Sequence, residues 1–337
     1  MRHSSKKTWL IVVIAVVLLA LILEIIVYLK VSGVFDRFTA NVADESAQSG
    51  EKWDEGVIIY KGKKYLYNKN LKNYLFLGID KEGEVEVVDD GIKGGQSDAM
   101  YLLVQNTKTN SMSIVTIHRN AMTMVDVYDK NGDYVGQQKL QICLQHGYGD
   151  GERTSCIRTA QTVSKLFYNI PIAGYMSLRM DGVPELNDAV GGIKVEVLED
   201  IILKDQGVNL KKGQTRILTG NEAYAYLRYR DTNSFDSASD RIKRQQQFLV
   251  GFMSQIGKAT SGGKSSVKNI LNSIDKYMVT NIDFLNLFEN FKNFSFDEAD
   301  MYSMPGQTVM GEKFEEFNID EDAFYEQVLK VFYEPVE

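Results

Sequence analysis

Between Thr219 and Phe248 the chain gathers four arginines, Arg228, Arg230, Arg241 and Arg244, together with Gln245, at two helix ends separated by a short polar loop. Arginine offers a planar fork of donors that matches phosphate oxygens in pairs, and the exposed N–H groups of a helix N-terminus favour the same anion. The grouping is therefore an anion site in outline. The plainer alternative is a set of arginines paired with the many acidic neighbours. Thr219 followed three residues later by Glu222 reads as a capping box, which starts a helix through Ala223, Tyr226 and Leu227 and delivers Arg228 and Arg230 near its C-terminal end. Ser239 or Asp240 can cap a second helix. Its first turns carry Arg241, Arg244 and Gln245, and Phe248, Leu249, Phe252, Met253 and Ile256 continue an apolar stripe at helical spacing.

Two carboxylates belong to the same chemistry. Tyr74 to Ile79 reads as a buried strand that ends at Asp80, Asp98 falls just before a strand at Met100 to Val104, and Arg119 follows a third strand at Ser113 to Ile117. Strand ends cluster at one rim of a sheet, where ligands of α/β proteins bind. Magnesium takes one or two protein carboxylates and completes its shell with water and phosphate oxygens, so Asp80 and Asp98 beside arginines suit a ligand that carries both metal and phosphate. Alone, each Asp would be read as a turn cap. His118 and His146 have no zinc spacing and are expected to be structural. Cys143 and Cys156, the two cysteines, flank the loop LQHGYGDGERTS and are expected either to form a disulfide closing it or to remain buried free thiols.

The elements that must position these residues start behind an anchor pattern: a basic tail over 1–8, then an apolar run over 9–29, interrupted only by Glu24, of the length a spanning helix needs. The short basic tail places the N-terminus in the cytoplasm and all that follows outside, as a single-pass cell-membrane protein. Residues 30–55 are polar and aperiodic, a tether, and 56–337 form the extracytoplasmic domain. A net charge of −7 argues against nucleic acid held on a broad basic surface, so any phosphate site is local. Val57 to Tyr67 reads as a hairpin about Lys61-Gly62. Helices at Ile157 to Tyr168 and Val183 to Ala189 alternate with strands at Tyr175 to Met180 and Ile193 to Leu198, which is the pattern of an α/β layered domain. Two helices within Val267 to Phe294, a strand at Asp300 to Ser303 and a closing helix at Ile319 to Tyr333 complete it.

Six stretches in order, YLFLGID (74–80), QSDAMYLL (96–103), SIVTIHRN (113–120), LNDAVGGIKVEV (186–197), NEAYAYLRYRD (221–231) and DRIKRQQQF (240–248), resemble the LytR-CpsA-Psr family of cell-envelope proteins. That resemblance implies a central mixed β-sheet flanked by α-helices, a single transmembrane anchor, and a Mg2+-dependent phosphotransferase. Such an enzyme moves a glycopolymer, teichoic acid or capsule polysaccharide, from an undecaprenyl-pyrophosphate carrier to peptidoglycan and leaves a phosphodiester link. It also implies that Asp80 and Asp98 hold the metal and that Arg119, Arg228, Arg230 and Arg241 bind the pyrophosphate. Gln245 and Arg244 would lie beside them, with Asp98, Arg119, Arg228 and Arg230 closest to the chemistry. The chain departs from the family at Gln96, where many members carry Arg, and at Asn120, where many carry Asp. Asn120 cannot serve as a general base, which leaves Asp80 or Asp98 for that role, or slower chemistry. Two other readings stay open: an extracytoplasmic pyrophosphatase on prenyl pyrophosphates, and a regulatory protein that binds the lipid carrier without turning it over.

Overall fold

The computed structural model describes residues 57–88, 93–230, 237–291 and 295–336. The expected tail (1–8), anchor (9–29) and tether (30–55) lie outside the described residues. The chain divides into two compact units, 1–64 and 65–337. Of the first, β1 (Val57–Tyr60) is described, with Lys61 and Gly62 both at positive φ (49° and 75°) in the turn that sequence assigns there, and then the start of β2 (Lys63–Tyr67).

The second unit is built on β3 (Leu71–Ile79), β4 (Ser97–Asn106) and β5 (Ser111–Thr116). The run YLFLGI is mostly buried, as a strand covered on both faces must be. Two hairpin strands follow, β6 (Met122–Tyr128) and β7 (Tyr134–Gln141), then a short 3-10 turn at Ile142–Gln145 that carries Cys143. Helix α1 (Arg153–Leu166) leads to β8 (Gly174–Arg179), α2 (Gly182–Ala189), β9 (Lys194–Glu196), β10 (Ile201–Leu203), β11 (Val208–Leu210) and β12 (Thr215–Ile217). Next come α3 (Gly220–Arg228), α4 (Ser237–Ala259), α5 (Lys264–Ile274), β13 (Met278–Thr280) and α6 (Phe284–Phe291). The chain closes with β14 (Ser295–Ser303), the hairpin β15 (Gly306–Met310) and β16 (Glu315–Ile319), α7 (Glu321–Phe332) and β17 (Tyr333–Val336).

Six strands form the central sheet in the order β13-β8-β3-β4-β5-β14. Pairing is parallel for β3 with β8 and for β5 with β14, and antiparallel for β3 with β4, β4 with β5, and β13 with β8, so the sheet is mixed as expected. Leu75, Leu77, Leu102 and Val115 share a core with Val163 of α1 and with Phe324, Val328 and Phe332 of α7. A second core joins Ile193, Val195 and Val197 to Leu218, Tyr226, Phe248 and Ile270, which seats α3, α4 and α5 on the small β9–β12 strands.

One irregularity matters for the site. Gly78 pairs with Ala99, yet the next residue, Ile79, pairs with Ser97, so Asp98 is the extra residue at a step in register. Such bulges bend a strand and re-aim a side chain. Sequence placed Asp98 ahead of its strand; the structure puts it inside β4, at this step.

Candidate functional site

Asp98 is the point on which the site converges. The Arg119 guanidinium approaches its Oδ1 at 2.9 Å and Arg241 Nη1 donates to its Oδ2 at 2.9 Å. Arg119 comes from the turn after β5, and Arg241 from the first turns of α4. Both arginines are largely buried. Arg119 also donates to the Gln96 side-chain oxygen at 2.5 Å and to Cys143 Sγ at 3.3 Å. Gln96 in turn donates its backbone N–H to Asp80 Oδ1 at 2.6 Å, while Asp80 N–H donates to the Gln96 carbonyl at 3.0 Å. Asp80, Gln96, Asp98, Arg119, Cys143 and Arg241 thus form one connected cluster at the C-terminal end of β3.

The electrostatics follow from that crowding. Loss of water around the Asp80 carboxylate pushes its pKa above the ordinary carboxylate range; the Gln96 N–H works against the rise and the charge of Asp98 adds to it. Burial lowers the Arg241 pKa, with Asp98 opposing, whereas for Arg119 the neighbouring Cys143 and Asp98 outweigh burial and raise it. Three buried donors, Arg119 Nε and Arg241 Nε and Nη2, have no hydrogen-bond partner among the described residues. Buried guanidinium donors of this kind are costly unless an acceptor meets them, so they suit an oxyanion ligand.

The loop that carries Gln96 is tied down from behind. His146, fully buried, has Nδ1 3.1 Å from the carbonyls of both Gly94 and Gly95. Gly94 must be glycine: a Cβ there would sit 2.5 Å from the His146 carbonyl oxygen. Burial holds the His146 pKa down at about 4, so the ring is neutral at ordinary pH. His146 and His118 are structural as expected; His118 stacks on Phe317 at 4.2 Å and accepts from the Asn120 N–H at Nδ1. Asn120 is buried in the turn, with its carbonyl accepting from Phe317 N–H.

The capping box forms as sequence indicates: Thr219 Oγ1 accepts from Glu222 N–H, and the Glu222 carboxylate accepts from Thr219 N–H. It points α3 so that Arg228 and Arg230 leave its C-terminal end. Neither touches Asp98. Arg228 donates to Glu82 at 2.5 Å and to the Tyr224 hydroxyl, and Arg230 donates to Glu315 at 3.2 Å. Arg230 still lies near enough to help lower the Arg241 pKa. The two arginines flank the cluster on paired carboxylates.

Three expectations need correction, at Arg244, Gln245 and the start of α4, and the cysteines take the second of their two expected states. Arg244 is not brought to the site: it is buried, donating to the Tyr226 carbonyl at 2.9 Å, to the Tyr229 carbonyl and to Glu199. Helical spacing turns it away from Arg241 and onto the end of α3. Gln245 also faces α3, with Nε2 3.5 Å from the Leu227 carbonyl. The cysteines are unbridged. Cys143 Sγ faces Arg119, whereas Cys156 Sγ, from α1, packs 3.4 Å from Ser177 Oγ, so they serve different contacts. Helix α4 begins at Ser237, which places Ser239 and Asp240 within its first turn instead of ahead of it.

Sequence reasoning gave no role to Glu82 and Glu315. Glu82 stands two residues beyond Asp80, a hint in hindsight; Glu315 has no local signal, being 85 residues from its partner Arg230. As for magnesium, Asp80 and Asp98 are the carboxylates of the cluster and repel one another, which a hard cation would relieve. Asp98 is already neutralised by two arginines, so the residues fit a metal shared with ligand phosphates better than one held by protein alone.

The sequence profile described as the LytR_cpsA_psr family matches residues 34–330. Among curated relatives, a Bacillus anthracis protein named polyisoprenyl-teichoic acid–peptidoglycan teichoic acid transferase TagU is 30% identical over 222 residues, which is 65% of this chain and 63% of the relative. The match thus spans a little under two thirds of that relative's length. Among solved structures, protein gbs0355 from Streptococcus agalactiae superposes with a TM-score of 0.61 at 22% identity, over 77% of this chain and 87% of that one. TagT bound to LI-WTA gives 0.57 at 22% identity, over 83% and 92%. At these identities the solved structures speak for the fold, a mixed sheet flanked by helices.

Proposed function

Since the chain belongs to the LytR_cpsA_psr family, we propose that it transfers a glycopolymer from an undecaprenyl-pyrophosphate carrier to peptidoglycan and leaves a phosphodiester link. The observation that carries this reading is the pair of buried arginines on Asp98, Arg119 and Arg241, whose remaining buried donors suit phosphate oxygens. Displacement at phosphorus needs charge neutralised on the pyrophosphate and an acceptor oxygen held in line. Arg119 and Arg241 supply the first. Arg228 and Arg230 add to it when a pyrophosphate competes with Glu82 and Glu315 for them.

Asp98 has an arginine at each oxygen, so the proton of the acceptor hydroxyl is assigned to Asp80, whose pKa is raised by loss of water. Asp80 and Asp98 would also hold Mg2+, which when bound neutralises charge on the phosphates. The apolar run 9–29 is assigned as the anchor that keeps the domain beside lipid-linked substrate, with the domain outside the cell.

The test is to incubate the full chain in detergent with a lipid-linked oligosaccharide and peptidoglycan fragments and to identify the products by mass. A phosphodiester conjugate is expected. Free phosphorylated sugar would instead mean hydrolysis, and intact lipid bound without turnover would mean a carrier-binding protein; either refutes transfer.

A further inference from the structure

The direction of the Arg119 side chain is set by two neutral neighbours. Its Nη2 carries two N–H donors and has two hydrogen-bond acceptors, the Gln96 side-chain oxygen at 2.5 Å and Cys143 Sγ at 3.3 Å. Asp98 Oδ1 lies 2.9 Å from the same nitrogen, yet it accepts no hydrogen bond among the described residues. The carboxylate therefore contributes charge, and the directional contacts come from Gln96 and Cys143. A guanidinium is planar, so two acceptors on one terminal nitrogen settle its plane and with it the direction of Nε–H. That Nε is buried and has no acceptor among the described residues.

Both acceptors are in turn held by the cluster. The Gln96 N–H donates to Asp80 Oδ1 at 2.6 Å, and the Gln96 carbonyl accepts from the Asp80 N–H at 3.0 Å. The Cys143 N–H donates to the Arg119 carbonyl at 3.2 Å, and Ser97 Oγ donates to the Cys143 carbonyl at 3.4 Å. Cys143 is fully buried, and burial pushes its thiol pKa up, so the sulfur keeps its proton. Its S–H is a weak donor 3.8 Å from the Gln96 side-chain oxygen. Arg119, Cys143 and Gln96 thus close a ring of three contacts that adds no charge to the site.

We propose that Gln96 and Cys143 are positioning residues of the phosphate site: together they turn the Arg119 guanidinium so that its Nε–H is left for an oxygen of the pyrophosphate. The assignment rests on the transfer reading above, in which Arg119 meets that group. Each residue acts through Arg119 and neither has to touch the ligand.

The test is a double-mutant cycle on the full chain in detergent, with farnesyl pyrophosphate as the probe and calorimetric titration as the readout. Gln96→Met and Cys143→Ala should each raise Kd by about three- to tenfold, and Cys143→Ser, which keeps an acceptor and a donor at the same place, should recover most of that loss. In an Arg119→Met background neither Gln96→Met nor Cys143→Ala should weaken binding further by more than about twofold. Undiminished losses in that background overturn the assignment, because they would mean that the two residues act on the ligand or the fold without Arg119. Where Arg119→Met binds too weakly to titrate, the serine variant decides: no recovery over Cys143→Ala overturns it. Gln96 is only half-buried, so Gln96→Met carries the cycle where Cys143→Ala does not fold. A non-additive cycle upholds the positioning role even where no phosphodiester conjugate forms, and additive losses remove it while leaving transfer intact. A wild-type chain that does not bind farnesyl pyrophosphate overturns it as well.

Discussion

Arg244 separates a structural arginine from a ligand-binding one. Its side chain is 2% exposed, and its three donors tie the C-terminal end of α3 to α4: Nε to the Tyr226 carbonyl, Nη2 to the Tyr229 carbonyl and Nη1 to Glu199. The last carbonyls of a helix have no intrahelical partner and carry its negative end, so a buried guanidinium there is both a cap and a counter-charge. Arg244→Met keeps a long side chain and removes every donor, leaving a carboxylate and two carbonyls without their cation. Breaking one side of a buried pair costs about 3–5 kcal/mol. At about 2–4 °C per kcal/mol for a chain of this size, the melting temperature should fall by roughly 10 °C. The assay is a thermal melt paired with direct binding of a prenyl pyrophosphate, measured well below the melt. Binding by Arg244→Met should stay within about threefold of wild type, whereas Arg241→Met, three residues earlier, should lose binding by more than tenfold with a smaller change in melting. A wild-type melt for Arg244→Met together with lost binding would refute the assignment, because it would mean that the guanidinium reaches the ligand.

His146 titrates at about 4 in the folded chain against an ordinary 6.5. Between those values the unfolded chain binds more protons, so stability is full above pH 6.5 and falls as pH drops toward 4, by about 3 kcal/mol for this group. Urea unfolding of wild type and His146→Gln across pH 4 to 7 should show a shallower slope in the variant. Both cysteines should react with a thiol reagent in denaturant without any reductant, two per chain; none reacting would restore the disulfide. Glu82→Gln frees Arg228 from its carboxylate partner and should tighten prenyl-pyrophosphate binding by about threefold at low salt; weaker binding would mean that Glu82 contributes to the ligand site.

What sequence made legible is what depends on neighbours in the chain. Thr219 and Glu222 sit three residues apart, so their capping box is a local fact, and the buried run YLFLGI fixes β3 and therefore Asp80 at its end. Spacing also put Arg241 near the start of a helix. It could not choose between Arg241 and Arg244, because which of two arginines on one helix faces phosphate depends on where α3 ends against α4. The hairpins β6–β7 and β15–β16 escaped the sequence reading because their strands are only partly buried and carry no continuous apolar run, and Glu315 arrived with one of them. Sequence assigns Asp98 to the site but misses its place inside β4. Its residue type and distance from Met100 suggest a cap ahead of a strand, but whether a carboxylate caps or projects is set by register with β3, 18 residues and a loop away. The step at Gly78/Ile79 leaves Asp98 as the extra residue in β4, and its re-aimed carboxylate takes an arginine on each of its oxygens.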